Sequence, residues 1–163
     1  MLHDEFSKIM KCSKCSTLTS RKLIRDQFEN IPQPGFVGKN YNNKKVVLVG
    51  QNPGVCPPAY AKADAIYTAS LRAVRDNPKD ETMDNLYPIL LNSVSSWKVQ
   101  EYFPLNESGL SLQDIAYFNV VRCRTQSNSA PGKNVVGNCL LHFENWISFF
   151  SPAVVVFIGK IGF

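Results

Sequence analysis

Five cysteines stand in this chain, and four of them are spaced as ligands would be. Cys12 and Cys15 form a C-x-x-C pair, whereas Cys123 and Cys139 lie far downstream with fifteen residues between them, on either side of a basic loop. Zinc ribbons normally show a second close pair, and this chain has none. An iron–sulfur cluster is larger and its irons face several directions, so it tolerates widely separated thiolates. Iron–sulfur is thus favoured over zinc as the chemistry of this set. The competing account makes Cys139 a core residue of its helix and Cys123 a small apolar filler. Cys56 has no partner by spacing and reads as a small loop residue.

Two carboxamides come next. Asn119 interrupts an apolar run, Phe118-Asn119-Val120, where an amide must either lead toward a site or cap a loop at a strand end. In a site, its donor and acceptor would suit the Watson–Crick edge of a base. Asn52, within Gly50-Gln51-Asn52-Pro53-Gly54, cannot act as a base near neutral pH, but its carbonyl oxygen can hold a water for attack. The stretch Arg122, Arg124, Thr125, Gln126, Asn128 and Lys133 collects cations and donors able to contact phosphate, although simple solvation explains such loops equally well. His142 reads as structural within its helix and His3 as solvated, so neither is a convincing acid or base.

The elements that must position these residues follow from periodicity. His3 to Met10 puts Phe6, Ile9 and Met10 on one side of a short helix that presents the first cysteine pair. Leu18 to Lys22 leads into a loop in which Pro32, Pro34, Gly35 and Gly38 preclude regular structure, and Asn40 to Lys45 reads as a polar turn. Val46 to Gly50 is a β-branched run ending at Gly-Gln-Asn-Pro-Gly, a strand buried on both faces that delivers polar groups into a tight loop. After Pro57-Pro58 a helix starts near Ala59, with Ala63, Ile66, Ser70, Leu71 and Val74 on its apolar side, and Asn77-Pro78 stops it. A second helix from Glu81 to about Gln100 shows Met83, Leu86, Leu90, Val94 and Trp97 at intervals of three and four. Ile115 to Val121 is the second strand, Arg122 to Lys133 a surface loop, and Asn134 to Phe150 a helix burying Val136, Cys139, Leu140, Phe143, Trp146, Ile147 and Phe150. Ala153 to Ile158 is a third strand, apolar throughout, so it expects cover on both faces and a neighbour on each edge.

Strands alternating with helices imply an α/β domain with a short, mostly parallel sheet and helices on both faces. At 163 residues the chain accommodates one domain, residues 1–163. Eighteen Lys and Arg against thirteen Asp and Glu leave a net charge of +5, which favours a polyanionic partner. No apolar run approaches a membrane span, and Met1-Leu2-His3-Asp4-Glu5-Phe6 is unlike a secretory signal. A cytoplasmic, reducing setting is expected, with no membrane partner and no disulfides.

Taken in order, Cys12-x-x-Cys15 followed by Arg21, Val47 to Gly54, Phe118-Asn119-Val120-Val121-Arg122-Cys123-Arg124 through Asn128 to Cys139, and Pro152 to Gly159 resemble the uracil-DNA glycosylase superfamily, closest to its iron–sulfur family four enzymes. The likeness covers nearly the whole chain. It implies a three-layer α/β/α fold and hydrolysis, in base excision repair, of the bond joining uracil to deoxyribose in single-stranded or mismatched DNA. A monomer is expected. By resemblance Cys12, Cys15, Cys123 and Cys139 would bind a structural 4Fe-4S cluster, with zinc the alternative. Asn119 would read the flipped base, Gly50, Gln51 and Asn52 would border it with Asn52 holding the water, and Tyr67 would stack on it, with Tyr60 as competitor. Arg124, Asn128 and Lys133 would contact DNA. Family four usually has Gly-Glu-Ala-Pro-Gly where this chain has Gly50-Gln51-Asn52-Pro53-Gly54, closer to the mismatch-specific and single-strand-selective relatives. The superfamily's later His-containing motif, with its last strand and helix, is missing before Phe163, so poor cleavage by this chain alone is expected. Two other classes remain open: a non-catalytic iron–sulfur module or inactive fragment that grips nucleic acid, and a structural zinc protein unrelated to DNA.

Overall fold

The structure is a computed structural model that describes residues 1–15, 31–96 and 99–159. Expectations placed on Leu18 to Lys22, including Arg21, and on Trp97 fall outside these residues. In chain order the elements are α1 (Leu2–Met10), β1 (Phe36–Val37), α2 (Tyr41–Lys44), β2 (Val46–Gly50), α3 (Ala61–Asp76), α4 (Asp80–Ser96), α5 (Val99–Tyr102), β3 (Ile115–Asn119), α6 (Lys133–Phe150) and β4 (Val154–Phe157).

The fold is α/β, a four-stranded, mostly parallel mixed sheet with helices around it. Strand order is β1-β3-β2-β4. The Val-rich β2 runs through the middle, parallel to β3 on one side (Val46 opposite Ile115, Gly50 opposite Asn119) and to β4 on the other (Val46 opposite Val154). Val47, Leu48 and Val49 are completely buried, as a central parallel strand requires. Parallel neighbours need long crossovers, and α3 to α5 carry the chain from β2 to β3 while α6 carries it from β3 to β4. Phe118 of β3 meets the α6 ring of Trp146 edge-on at 4.9 Å between centroids, and Trp146 stacks at 5.6 Å on Phe6 of α1. These contacts hold α1, and with it the first cysteine pair, against α6.

Several local expectations need correction. The Pro- and Gly-rich segment holds a strand, β1, antiparallel to β3. Gly35 makes this approach possible: its φ is +99°, and a Cβ there would lie 2.6 Å from the Tyr117 carbonyl oxygen. The polar turn before β2 is one helical turn, α2, closed by Lys45 at φ 53°. On α3 the buried stripe is Tyr67, Thr68, Leu71 and Val74, while Ile66 faces out, because positions 67, 71 and 74 keep the helical spacing that meets neighbouring elements. The helix expected from Glu81 is described as α4, with α5 on the far side of residues 97 and 98, which lie outside the described residues. On α6 the first fully buried position is Val135, with Val136 only partly covered. In the expected surface loop, Arg122 and Thr125 are buried. Finally, β4 is an outer strand among the described residues, with Val154 49 % and Phe157 46 % exposed, so its apolar sequence lacks the expected cover there. No helix among the described residues is long and apolar enough to cross a membrane.

Candidate functional site

The carboxyl ends of β2 and β3 lie side by side and stay paired beyond the strands. The Val120 N–H donates to the Gly50 carbonyl and the Val121 N–H to the Gln51 carbonyl, both at 2.9 Å. This pairing sets Gly50, Gln51 and Asn119 next to one another at the mouth of the sheet, where open α/β sheets take ligands. Asn119 is 6 % exposed, and its Oδ1 accepts from the Tyr117 hydroxyl at 3.3 Å. Burial pushes the Tyr117 phenol up, so at neutral pH it is a neutral donor. Gly50 leaves room for this amide, since a Cβ there would fall 2.3 Å from Asn119 Oδ1 and 2.8 Å from the Tyr117 oxygen.

Asn52 is oriented from across the loop. Its Nδ2 donates to Thr125 Oγ1 at 2.9 Å and to the Pro53 carbonyl at 3.2 Å, and the Thr125 hydroxyl donates to the Ser129 carbonyl at 2.6 Å. With the amide nitrogen so engaged, the carbonyl oxygen is the end of Asn52 left to receive a water. A second clasp joins the same loops, the Val55 N–H donating to Asn128 Oδ1 at 2.6 Å. A third ties the basic loop to α3: Arg124 meets Asp64 in a two-pronged pair, Nη1 donating to Oδ2 at 2.7 Å and Nη2 to Oδ1. Both partners are little exposed; burial is the largest single influence on Arg124 and works against its charge, but the Asp64 hydrogen bond and charge, with smaller contributions from Tyr67 and Cys56, together raise it. Thr125 and Asp64 are contributors that sequence reasoning missed or gave another role. Their partners are 73 and 60 positions away in the chain, so no local pattern signals them.

Three expected contacts look different in place. Arg124 is committed to Asp64 within the protein rather than reaching for phosphate. Tyr67 is 3 % exposed and packed beside that same pair, with burial pushing its phenol well up, so it offers a base no open ring face; Tyr60, ahead of α3, is exposed. Asn128 serves as the acceptor in the Val55 clasp, while Lys133 is exposed at the first position of α6.

The cysteines converge. Cys12 and Cys15 follow α1, Cys123 follows β3, and Cys139 lies on α6. Cys15, Cys123 and Cys139 share a small apolar cluster with Val121, Val135 and Val136. Burial pushes the Cys123 thiol far up, and the charges of Cys139, Cys15 and Cys12 add to that. Cys139 is also raised by burial, against which the Arg122 backbone N–H donates to its sulfur. Asn138 Nδ2 lies 3.6 Å from Cys15 Sγ as a donor. Among the described residues no three His, Cys, Asp or Glu side chains gather closely enough to hold one metal ion.

Arg122, read from sequence as a surface cation, is 1 % exposed. Its guanidinium lies 4.7 Å from the centroids of both Phe118 and Trp146, and Nη1 donates to the Pro34 carbonyl at 2.9 Å. Among the described residues Nε and Nη2 are buried without a hydrogen-bond partner. Burial pulls Arg122 down to about 9, with Cys139 acting in the opposite sense, and it stays charged at neutral pH. Two desolvated ring faces offer about 2 kcal/mol each, against a burial cost of several kcal/mol for an ion, so the rings do not fully offset it. His142, one turn beyond Cys139, also has a buried Nε2 without a partner, and burial lowers its pKa.

No family model matches the chain, and no curated protein matches it.

Proposed function

We propose that this chain is a DNA repair glycosylase of the uracil-DNA glycosylase type, hydrolysing the N-glycosidic bond of uracil flipped out of single-stranded or mismatched DNA. The observation that carries the reading is the pair of oriented carboxamides on adjacent strand exits. Asn119 is held against Gly50 by the Tyr117 hydroxyl, and Asn52 is turned by Thr125 so that its carbonyl oxygen is the free end. In the proposed domain these lie on a three-layer α/β/α frame.

The glycosidic bond is inaccessible within a base stack, so the nucleotide must rotate out, at a cost of a few kcal/mol that is smaller for mispaired uracil. As the bond breaks, positive charge grows on the sugar and negative charge on the base. Donors aimed at the uracil oxygens therefore matter more than a strong base. Asn119 would supply one such donor and read the base edge, while Asn52 would hold the attacking water. Neither His is needed. Lys133 and the chain's net positive charge would favour the phosphate backbone.

The four thiols fit an iron–sulfur centre by two features: Cys15, Cys123 and Cys139 share one small apolar cluster on which the charge of Cys12 also bears, and two of them receive N–H donors. A tetrahedral zinc, with bonds of about 2.3 Å, would draw its sulfurs to within about 4 Å of one another, whereas a cluster spreads them wider. Cys12, Cys15, Cys123 and Cys139 would hold a 4Fe-4S cluster, whose contribution is structural. Cys123 and Cys139 flank the loop that clasps Asn52, so a fixed thiol set would keep Thr125 in place.

The test is uracil release from single-stranded and mismatched oligonucleotides. Release that Asn119→Ala abolishes is expected; release indifferent to Asn119→Ala would overturn the assignment. A second reading, a nucleic-acid-binding module without catalysis, is favoured by one observation: Asn119 and Tyr67 are 6 % and 3 % exposed, which leaves little of either for a base to touch. Tight oligonucleotide binding with no release from iron-loaded protein would establish it instead.

A further inference from the structure

We propose that Arg122 is the buried counter-charge of the thiolate centre formed by Cys12, Cys15, Cys123 and Cys139, and that its charge rather than its packing governs how firmly iron is held there. The inference rests on the reading of those four cysteines as cluster ligands and goes beyond it by giving a role to a residue that is no ligand. Three observations carry it. The guanidinium is buried and fixed in place, packed in the angle between the edge-on rings of Phe118 and Trp146 and anchored by Nη1 on the Pro34 carbonyl. Two of its donor atoms, Nε and Nη2, are buried with no hydrogen-bond partner among the described residues. Its main chain adjoins the thiols, Cys123 being next in the chain and the Arg122 backbone N–H donating to Cys139, and the Cys139 charge acts on the guanidinium.

A buried cation needs an anion, and among the described residues the charge that reaches Arg122 is that of Cys139, with no carboxylate acting on it. Four thiolates around an iron–sulfur core carry net negative charge, which burial penalises in the same way. Each group removes the other's penalty. The ring pair then acts as a holder: Phe118 comes from β3, which Cys123 follows, and Trp146 from α6, which carries Cys139. Outer residues of this kind govern metal retention without touching the metal. A nearby positive charge also favours adding an electron to the centre and so raises its reduction potential.

The experiment compares the full chain with Arg122→Met and Arg122→Lys, all purified anaerobically. The readouts are iron per chain, the rate of iron loss to a chelator, and the midpoint potential of the visible chromophore. Met keeps apolar bulk between the rings and loses the charge; Lys keeps the charge and loses the stacking plane. Arg122→Met is expected to lose iron about tenfold faster or more and to show a lower potential, with Arg122→Lys close to the wild type. A Met variant like the wild type, or a Lys variant as impaired as Met, overturns the counter-charge role. If the Met variant does not fold, the Lys variant decides: iron retention and potential near the wild type support the proposal, and loss of either overturns it. Wild-type protein that takes up no iron on reconstitution removes the ligand reading and this inference together, whereas iron-loaded protein indifferent to Arg122→Met removes this inference alone.

Discussion

The two ends of the sheet differ in a way that volume alone would misrepresent. Beside the amino end of β3 lies a wide cleft of about 1260 Å³, lined among others by His3, Lys39, Tyr41, Asp80, Tyr87 and Gln113. One of its contacts reaches the surface: His3, expected to be solvated but only 6 % exposed, contacts Asp80 Oδ1 through Nδ1 at 3.1 Å, and the Asp80 side chain is 83 % exposed. At the carboxyl ends of β2 and β3, Asn119 and Thr125 are buried, and the Asn52–Thr125 and Arg124–Asp64 bonds join residues 73 and 60 positions apart in the chain. Groups removed from water keep fixed directions and feel one another through a low dielectric, whereas exposed pairs are screened and add little. The roomy end is therefore a feature of shape, and the crowded end is where directed chemistry can be done.

That contrast can be broken most severely at the sulfurs. Cys123→Ser or Cys139→Ser should remove most of the iron and lower the thermal midpoint sharply, while Asp80→Asn, beside the cleft, should leave iron content unchanged; metal analysis and a melt on each variant check this. Next come two glycines, one at each end. A Cβ on Gly50 would meet Asn119 Oδ1 at 2.3 Å, and one on Gly38 would meet the Gln113 carbonyl oxygen at 2.1 Å. Both alanine variants should be destabilised by roughly 1–3 kcal/mol. Only Gly50→Ala should also slow uracil release beyond what stability explains, by about 100-fold, because it displaces Asn119, which in the proposed function touches the base. Equal loss of release in the two variants would erase the distinction between the ends.

A smaller effect is expected where the contact is indirect. Thr125→Val removes the acceptor that turns Asn52, and should slow release about tenfold with a stability cost near 1 kcal/mol, the wild-type rate being the contrary outcome. Smallest of all is an alkaline effect at Tyr67. Burial raises its folded pKa above the unfolded value near 10, so the unfolded chain releases its proton first. The stabilisation is complete below about pH 10 and falls as pH rises beyond it. Tyr67→Phe should flatten the fall of the melting midpoint above pH 10 by the slope of one proton, and an unchanged slope would count against the buried phenol.

Much of this arrangement was legible in the residues. The bounds of β2, the helix ahead of Cys12 and the amide at the end of β3 follow from β-branched runs, helical spacing and a polar residue where none belongs. What could not be read depends on partners distant in the chain. β1 is two residues hidden in a Pro-rich stretch and exists because Gly35 lets the backbone lie against β3. Arg124 looked like a free cation because Asp64 is 60 residues away. Ile66 and Tyr67 are neighbours, and composition alone chose the wrong one to bury. β4 shows the same limit: a sequence as apolar as that of β2 is half exposed because of its place in the strand order.

The central claim, that four thiolates hold one iron–sulfur centre bracing the carboxamide site, is tested most directly by iron, sulfide and zinc analysis of anaerobically purified protein together with its visible spectrum. About four irons and four sulfides per chain with a broad visible band are predicted. Stoichiometric zinc without iron, or neither metal after reconstitution, would contradict it.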